Sequence, residues 1–365
     1  MNPTYLSKDP LAMKSVELIL KGQAASGSYI ASPTFPQYNY AWLRDGSFCA
    51  LAMHLSGEVE SAHRFNTWVG TTVEKYQDLF IDGVRILRIG GAIPPEKSPP
   101  TRFHLDGSVE NDHHEVWPNY QLDGYGTWLA VLNQIETTFS DSILNAVKIV
   151  ADFLMVAWPH PCFDCWEEGD DKIHGSTLLA VAGGLKAAAE ITRDSRYSVE
   201  YKNILRRIES DFVIDGHFVK NSGNSRVDAG LAWAALPHRA YESNHPLVLG
   251  TLEAIKSQLQ STPGGVKRYL GDTYYGGGDW VLLEGLLAWN EAAIGDRSFW
   301  ETSGKWFNSV ADSQFLLPEQ VLENVQEPKM IARWEEQWGK VAHPLLWSHA
   351  MYLLMLHEGA QNKWI

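Results

Sequence analysis

Apolar positions recur along the chain every three to four residues, which is the spacing of helices that bury one face. No low-complexity tract or linker interrupts this pattern. It predicts about twelve helices, with expected spans 10–21, 42–56, 58–76, 124–138, 141–157, 174–192, 196–212, 226–236, 245–260, 279–294, 297–311 and 344–358. The sequence therefore predicts an all-α fold.

The connections between these helices alternate in length. Short links at Ser56-Gly57, Phe139-Ser140 and Gly295-Asp296 suit antiparallel neighbours. The long connections are 22–41, 77–123, 158–173, 213–225, 261–278 and 312–343. Helix pairs that are each entered by a long loop predict a closed toroid of two concentric rings, with all the long loops at one end. The alternative is an irregular helical bundle.

Charge and composition exclude several classes of protein. The 365 residues include 30 basic and 44 acidic side chains, and the net charge of −14 argues against nucleic acid or an anionic membrane as partner. No apolar run reaches the ~18 residues of a membrane span, and residues 1–14 lack a secretory pattern. Cys49, Cys162 and Cys165 cannot form a disulfide framework. We expect a cytoplasmic protein, a monomer or a small homo-oligomer.

Aromatic residues are unusually frequent, with 15 Trp, 14 Tyr and 13 Phe. Most of them are expected in the core, but flat aromatic faces also stack on sugar rings. We expect the aromatic residues next to carboxylates to contact a ligand.

Two of the long loops end in polar strings that suit sugar binding. In the string 40–46, Arg44 can donate to a sugar hydroxyl and Asp45 can accept from one. The alternative is an ion pair at a helix end. The string 117–126 mixes aromatic and polar residues with glycines that permit a close approach of the backbone. Its alternative role is helix capping by Asp123.

A third string, 164–169, places adjacent carboxylates beside a tryptophan. A carboxyl group against an apolar ring has a raised pKa, which suits a proton donor near neutral pH. Glu167 and Glu168 beside Trp166 are therefore candidates for an acid site. The alternative is a solvated acidic turn, since two further aspartates follow.

Two more strings complete the set. Residues 268–280 combine Arg268 with tyrosines, an aspartate and a glycine run, but no Gly-Lys-Ser/Thr follows, so this is not a phosphate-binding loop. Glu319 begins the last long loop, and the string 344–350 closes it.

Signals for metal or cofactor binding are weak. Cys162 and Cys165 are more typical of packing thiols than of a zinc site. The adjacent histidines of His113-His114-Glu115 point differently on most backbones. No nucleophile elbow and no dinucleotide fingerprint is present. We expect neither a metal nor a cofactor.

Taken together, the five strings resemble the catalytic domain of glycoside hydrolase family 15, the glucoamylase-like enzymes, from about Tyr38 to Tyr352. The resemblance implies an (α/α)6 barrel that hydrolyses α-glucosides from the non-reducing end with inversion. The chain begins directly with helices, so we expect a single domain over 1–365 without the β-sandwich or starch-binding module of some relatives.

The resemblance also implies roles for individual residues. Glu167 matches the general acid and Glu319 the general base; Glu335 and Glu336 in the unusually long segment 323–341 are rival carboxylates for the base. The predicted substrate-binding residues are Tyr40, Trp42, Arg44, Asp45, Trp117, Gln121, Asp123, Trp166, Glu168, Arg268, Asp272, Tyr274 and Trp347.

The chemistry of acetal hydrolysis agrees with such a pair, because inversion needs an acid and a base ~6.5–9.5 Å apart on opposite faces of the sugar. An extended last loop that closes over a small ligand favours isomaltose or short isomalto-oligosaccharides. Maltose-type α-1,4 substrates and trehalose are alternatives. A sugar epimerase using paired histidines (His113, His114 or His349) and an inactive sugar-binding protein are alternatives from other classes.

Overall fold

Helices account for most of the computed structural model, which describes residues 3, 6–109, 117 and 119–365. The α-helices in this part of the chain are α1 (Pro10–Lys21), α2 (Leu43–Leu55), α3 (Val59–Lys75), α4 (Gln77–Arg88), α5 (Asp123–Ile135), α6 (Asp141–Ala157), α7 (Gly175–Thr192), α8 (Ser195–Asp211), α9 (Pro246–Leu259), α10 (Val281–Ala293), α11 (Arg297–Val310), α12 (Lys329–Trp338) and α13 (Leu346–Gln361).

Short strands join some of the loops. The strands are β1 (Ala41–Trp42), β2 (Arg102–Phe103), β3 (Val213–Ile214), β4 (His217–Phe218), β5 (Asp279–Trp280) and β6 (Gln320–Val321). They form antiparallel pairs: β1 with β2, β3 with β4, and β5 with β6. The β5–β6 pair connects the loop that precedes α10 to the loop that precedes α13.

The helices form two concentric rings. The inner ring consists of α2, α5, α7, a 3₁₀ segment (Ala229–Ala234), α10 and α13, and it closes because α13 packs against α2. Around it lie α1, α3, α6, α8, α9 and α11, and each of these packs against an inner neighbour. The predicted (α/α)6 barrel is confirmed.

Burial distinguishes the two rings. Nearly every residue of the inner helix α10 is buried, and most of these residues are apolar, with Glu284, Asn290 and Glu291 as the polar exceptions. The outer helix α8 buries only a stripe formed by Tyr197, Ile204 and Ile208. A helix enclosed by neighbours tolerates apolar residues all round, whereas a surface helix needs one apolar face.

Glycines allow two inner helices to approach closely. A Cβ atom on Gly126 of α5 would lie 2.4 Å from the carbonyl oxygen of Ala180 in α7. A Cβ atom on Gly184 would lie 2.8 Å from the Cα of Gly126. Backbone atoms therefore meet directly between α5 and α7, and a side chain at either glycine would push the helices apart.

Each long connection runs from an outer helix to the N-terminus of the next inner helix. Within the described residues this order holds around the ring, so the loops gather where the inner helices begin. Helix N-termini carry partial positive charge and unpaired N–H groups, which favour carboxylates nearby.

The sequence predictions for some segments are wrong. The segment 226–236 contains a 3₁₀ helix instead of an α-helix; Asp228 caps it by accepting from the backbone N–H of Gly230, and a proline at 237 disfavours α-helical geometry in the residue before it. The connections 77–123 and 312–343 are not entirely loops, because they contain α4 and α12. Among the described residues, no helix combines the length and the apolar character needed to cross a bilayer.

Replacing Gly126 with alanine should destabilise the barrel by at least about 2 kcal/mol, because the added methyl group meets backbone atoms that cannot move aside. Gly304→Ala in α11 is the matched control. Its Cβ atom would meet only the end of Met355 at 3.9 Å, so it should be neutral or add up to ~1 kcal/mol through helix propensity. Urea unfolding followed by circular dichroism measures both, and equal stabilities would contradict the close-packing argument.

Candidate active site

A cavity of about 360 Å³ opens at the end of the barrel where the loops gather. Its walls come from the loops that precede α2, α5, α7, α10 and α13 and from the first residues of α2, α10 and α13. Within the described part of the chain, the loop at 212–228 contributes no lining residue. The cavity is therefore the place where the predicted sugar-binding strings meet.

Most of the predicted site residues line this cavity. They are Trp42, Arg44, Asp45, Trp117, Trp166, Glu167, Glu168, Arg268, Tyr274, Glu319 and Trp347. Tyr40, Gln121, Asp123 and Asp272 are not among the lining residues, but each contacts a residue that is. The prediction that these four residues bind substrate directly is therefore not supported by the cavity lining.

One oxygen of Glu167 is fixed by hydrogen bonds, and the other has no hydrogen-bond partner among the described residues. Its Oε1 accepts hydrogen bonds from the indole N–H groups of Trp42 (2.9 Å) and Trp117 (3.1 Å) and from the side-chain amide of Gln121 (3.0 Å). These donors come from two different loops. Because Oε1 is saturated with donors, a proton on this carboxyl group must reside on Oε2.

The backbone at Glu167 adopts a left-handed conformation, with φ of 68°. A residue with a side chain rarely adopts this conformation unless its surroundings hold it there. The side chain of Asp164 accepts from the backbone N–H groups of Trp166 (2.9 Å) and Glu168 (3.0 Å), which closes the turn around Glu167.

Glu319 is the more deeply buried carboxylate, at 2% exposure. Its Oε1 accepts from the hydroxyl of Tyr38 (2.8 Å), and among the described residues its Oε2 has no hydrogen-bond partner. Burial raises the pKa of Glu319 to about 8, although the Tyr38 hydroxyl and the charge of Arg268 act to lower it. Glu319 thus presents one unoccupied oxygen in a poorly solvated place.

Sequence reasoning missed Tyr38. Its hydroxyl lies 2.9 Å from that of Tyr274, so the two tyrosines and Glu319 form a chain of hydrogen bonds. The sequence contains a signal, since Tyr38 begins the stretch that resembles the family, but there it marks only the boundary of that stretch.

Hydrogen bonds with side chains of α13 fix the backbone beside Glu319. His349 accepts from the N–H of Leu317 (3.0 Å), and its other ring nitrogen contacts Ser15 (2.8 Å). Ser348 donates to the carbonyl of Pro318 (2.8 Å). His349 is fully buried, and burial lowers its pKa to about 3. It is therefore a structural residue rather than the epimerase histidine considered above; the alternatives His113 and His114 lie outside the described residues.

Arg44 and Asp45 both line the cavity, but Arg44 has its main partners behind the wall. Its Nη1 lies 2.9 Å from Asp123 and donates to Gln121 (3.1 Å), whereas its Nε lies 3.8 Å from Asp45. Asp123 is the first residue of α5 and not its cap. Burial raises the pKa of Asp45 to about 6, against the opposing charge of Arg44. The pair is more than an ion pair at a helix end, because Asp123 of a second helix, α5, also binds Arg44.

Arg268 is held by Asp272 in a two-pronged pair. Its Nε and Nη2 donate to the two oxygens of Asp272 at 2.8 and 2.6 Å. Nη2 also reaches Glu168 (3.3 Å), which accepts a further hydrogen bond from the Tyr269 hydroxyl. Two parallel bonds fix the plane of the guanidinium group, so Arg268 presents a rigid donor to the cavity.

Aromatic rings form much of the remaining wall. Two of them come from α12, and sequence reasoning did not assign them to the site. The Trp334 indole donates to the carbonyl of Thr273 (2.9 Å), and its ring lies 5.1 Å from Tyr274 and 5.0 Å from Trp338. Trp280 was also missed. The available signal was the Trp334–Trp338 spacing of four residues, which puts both rings on one face of a helix.

In the part of the chain that the structure describes, the rival carboxylates do not line the cavity, and of the two cysteines considered as metal ligands only Cys165 does. Glu335 and Glu336 are exposed residues of α12 and are not among those that line it. Cys162 and Cys165 are buried free thiols, as expected for packing residues. The string His113-His114-Glu115 lies outside the described residues.

Comparisons with known proteins agree with this geometry. The family model for "Glycosyl hydrolases family 15" matches residues 11–357. The isomaltose glucohydrolase of Kribbella flavida is 38% identical over 358 residues, covering 95% of this chain and 92% of that protein. A glycosidase variant solved in complex with glucose superposes with a TM-score of 0.90 at 35% identity, covering 98% of both chains.

A more distant structure has the same fold. A bacterial glucoamylase solved with acarbose superposes with a TM-score of 0.75 at 20% identity, covering 96% of this chain and 55% of the glucoamylase. The family match spans nearly all of the barrel and its loops. The chain belongs to glycosyl hydrolase family 15 and is a glycoside hydrolase.

Proposed function

We propose that this enzyme is an exo-acting, inverting α-glucoside hydrolase that releases β-glucose from the non-reducing end of short substrates, with isomaltose favoured. The observation that carries the proposal is the pair Glu167 and Glu319. The two carboxylates come from loops far apart in sequence, line one cavity, and each keep one oxygen free of the hydrogen bonds that fix the other.

Glu167 serves as the general acid. Its Oε2 carries the proton and donates it to the glycosidic oxygen as the bond to the anomeric carbon breaks. The negative charge that remains on the carboxylate is stabilised by the N–H donors of Trp42, Trp117 and Gln121 on Oε1. General acid catalysis of this kind contributes ~10²–10⁴-fold to the rate.

Glu319 serves as the general base. Its free Oε2 accepts a proton from a water molecule, whose oxygen attacks the anomeric carbon from the face opposite to the leaving group. The configuration at that carbon inverts, and an α-glucoside yields β-glucose. The hydroxyl of Tyr38 fixes the other oxygen of Glu319 and so directs Oε2 towards the cavity.

The remaining polar residues orient the terminal glucose. Arg44, Asp45 and Arg268 present charged donors and an acceptor to its hydroxyl groups, and Glu168 adds a second acceptor. Ion pairs behind the wall fix these side chains before the substrate arrives, so binding spends little free energy on ordering them.

Helix α12 supports the preference for short substrates. Trp334 and Trp338 form part of the cavity wall, so the extended last loop narrows the space available beyond the terminal glucose. The similarity to an isomaltose glucohydrolase favours the α-1,6 linkage over the α-1,4 and trehalose alternatives. The presence of both carboxylates in one cavity argues against an inactive sugar-binding protein.

Proton NMR of the enzyme with isomaltose, maltose, trehalose and dextran tests this function. Isomaltose should be consumed fastest, and the β anomer of glucose should appear before mutarotation adds the α anomer. Early α-glucose would overturn inversion and the water-activating role of Glu319. Cleavage of dextran as fast as isomaltose would overturn the preference for short substrates.

Glu167→Gln and Glu319→Gln should each lower kcat by ~10²–10⁴-fold with little change in KM, because each removes one proton transfer and leaves the sugar contacts in place. Glu335→Gln is the control, since this exposed carboxylate lies outside the cavity lining; it should keep full activity. Steady-state kinetics on isomaltose measures all three. Undiminished turnover in either of the first two variants would remove that residue's role.

The pH dependence should be bell-shaped for the wild type, because Glu319 must be ionised while Glu167 is protonated. In Glu167→Gln acting on α-glucosyl fluoride, whose leaving group needs no acid, kcat/KM should follow Glu319 alone and rise with a midpoint well above that of an ordinary glutamate, near 8. Adding Tyr38→Phe removes a hydrogen bond that lowers this pKa, so the midpoint should move to higher pH.

The control for the tyrosine is Tyr29→Phe in the same background. Tyr29 is more deeply buried than Tyr38, and its hydroxyl bonds to Ser61, which does not line the cavity. The midpoint of the pH dependence of kcat/KM should not move in this variant. A midpoint near that of an exposed glutamate, or one that moves down with Tyr38→Phe, would contradict the assignment.

A further inference from the structure

Lys220 lies in the loop at 212–228, which contributes no lining residue in the described part of the chain. Its ammonium group is nevertheless held close behind the cavity wall. The Nζ atom lies 2.8 Å from an oxygen of Asp164 and 2.6 Å from an oxygen of Asp228, and 4.2 Å from the centre of the Tyr269 ring. The Lys220 side chain is 13% exposed and both carboxylates are 1% exposed.

Asp164 connects Lys220 to the turn that carries Glu167. One of its oxygens pairs with Lys220, and the other accepts from the backbone N–H groups of Trp166 and Glu168. The backbone of Asp164 also bonds in both directions within the turn, to Glu167 and to Glu168, each at 2.9 Å. A single aspartate thus spans the turn in which Glu167 holds its left-handed φ of 68°.

Asp228 connects Lys220 to the ring beside Glu167. Its two oxygens accept from the indole N–H of Trp166 at 3.1 and 2.9 Å, and one of them also caps the 3₁₀ helix at Gly230. Trp166 lines the cavity and directly precedes Glu167 in the chain. Both neighbours of Lys220 therefore hold parts of the same turn.

The two buried carboxylates, Asp164 and Asp228, depend on the positive charge of Lys220. Burial acts to raise the pKa of Asp164, but the charge and hydrogen bond of Lys220, together with nearby His174 and the backbone N–H of Glu168, lower it below its ordinary value. His174 also approaches Asp164, at 3.8 Å, but one ring nitrogen contacts Asn221 and the other the carbonyl of Gly169, which fits a neutral ring. Without Lys220 two buried carboxylates would face each other with no cation, a strongly unfavourable arrangement.

We propose that Lys220 is a positioning residue for the acid step: it holds the turn 164–168 through Asp164 and Asp228, so that Oε2 of Glu167 faces the glycosidic oxygen. Lys220 touches no substrate. The inference rests on the proposed function, specifically on Glu167 as the general acid. Misplacing a catalytic group by about 1 Å is enough to cost ~10²-fold in rate.

The test compares two substrates with different leaving groups. Departure of glucose from isomaltose needs a proton from the acid, whereas departure of fluoride from α-glucosyl fluoride needs little help. Lys220→Met should lower kcat on isomaltose by ~10²-fold and on α-glucosyl fluoride by less than ~10-fold, with KM nearly unchanged for both. Glu167→Gln should show the same selective loss. Lys220→Gln, which keeps length and a donor, takes the place of Lys220→Met if that variant does not fold.

Lys267→Met is the matched control. Lys267 pairs with the buried Asp279 at 2.9 Å and is 14% exposed, but among the described residues neither forms a hydrogen bond or ion pair with the turn at 164–168. Any loss in this variant should be equal for the two substrates, and thermal denaturation compares its stability with that of Lys220→Met.

The outcomes separate the two proposals. An equal loss on both substrates for the Lys220 variant, no loss, or a selective loss for Lys267→Met overturns the role of Lys220. If the wild type hydrolyses neither substrate, or if Glu167→Gln shows no dependence on the leaving group, the proposed function itself fails and the role of Lys220 fails with it.

Discussion

Carboxylates buried behind the cavity wall need cations, and this requirement ties the loops together. The pairs are Arg44 with Asp123, Lys220 with Asp164 and Asp228, Arg268 with Asp272, and Lys267 with Asp279. Several join residues from different loops or helices, and Asn324 from the last loop adds a hydrogen bond to Asp279. A buried charge that loses its partner is costly. The loops therefore take an arrangement in which each of these carboxylates keeps its cation, and the cavity takes its shape from that arrangement.

The architecture was predictable because it repeats. Helical periodicity and alternating connection lengths reflect physical needs that hold at every step around the ring, namely a buried face and an antiparallel neighbour. The predictions that were wrong concern segments in which local interactions override the helical periodicity. Asp228 and the following proline give 229–234 a tighter helix, and α12 buries no residue fully, so its pattern resembles that of an exposed loop.

The site was predictable in its components but less so in its geometry. Long loops have no periodicity from which the direction of a side chain follows. The sequence therefore predicted that Asp123 and Asp272 lie in the region of the site. It did not indicate that they form ion pairs with arginines from behind the cavity wall. For the same reason it did not reveal that Tyr38 contacts Glu319, or that α12 turns Trp334 into the cavity wall. Such contacts depend on the path of the backbone between helices that are far apart in the chain.

In the proposed reaction, the surroundings of each carboxylate suit the charge that develops on it. The N–H donors on Oε1 of Glu167 stabilise the negative charge that appears when this residue gives up its proton. Burial raises the pKa of Glu319 and so favours the protonated form that this residue reaches when it takes a proton from water. An enzyme gains rate from interactions that strengthen towards the transition state. The surroundings of both carboxylates therefore favour the proposed proton transfers.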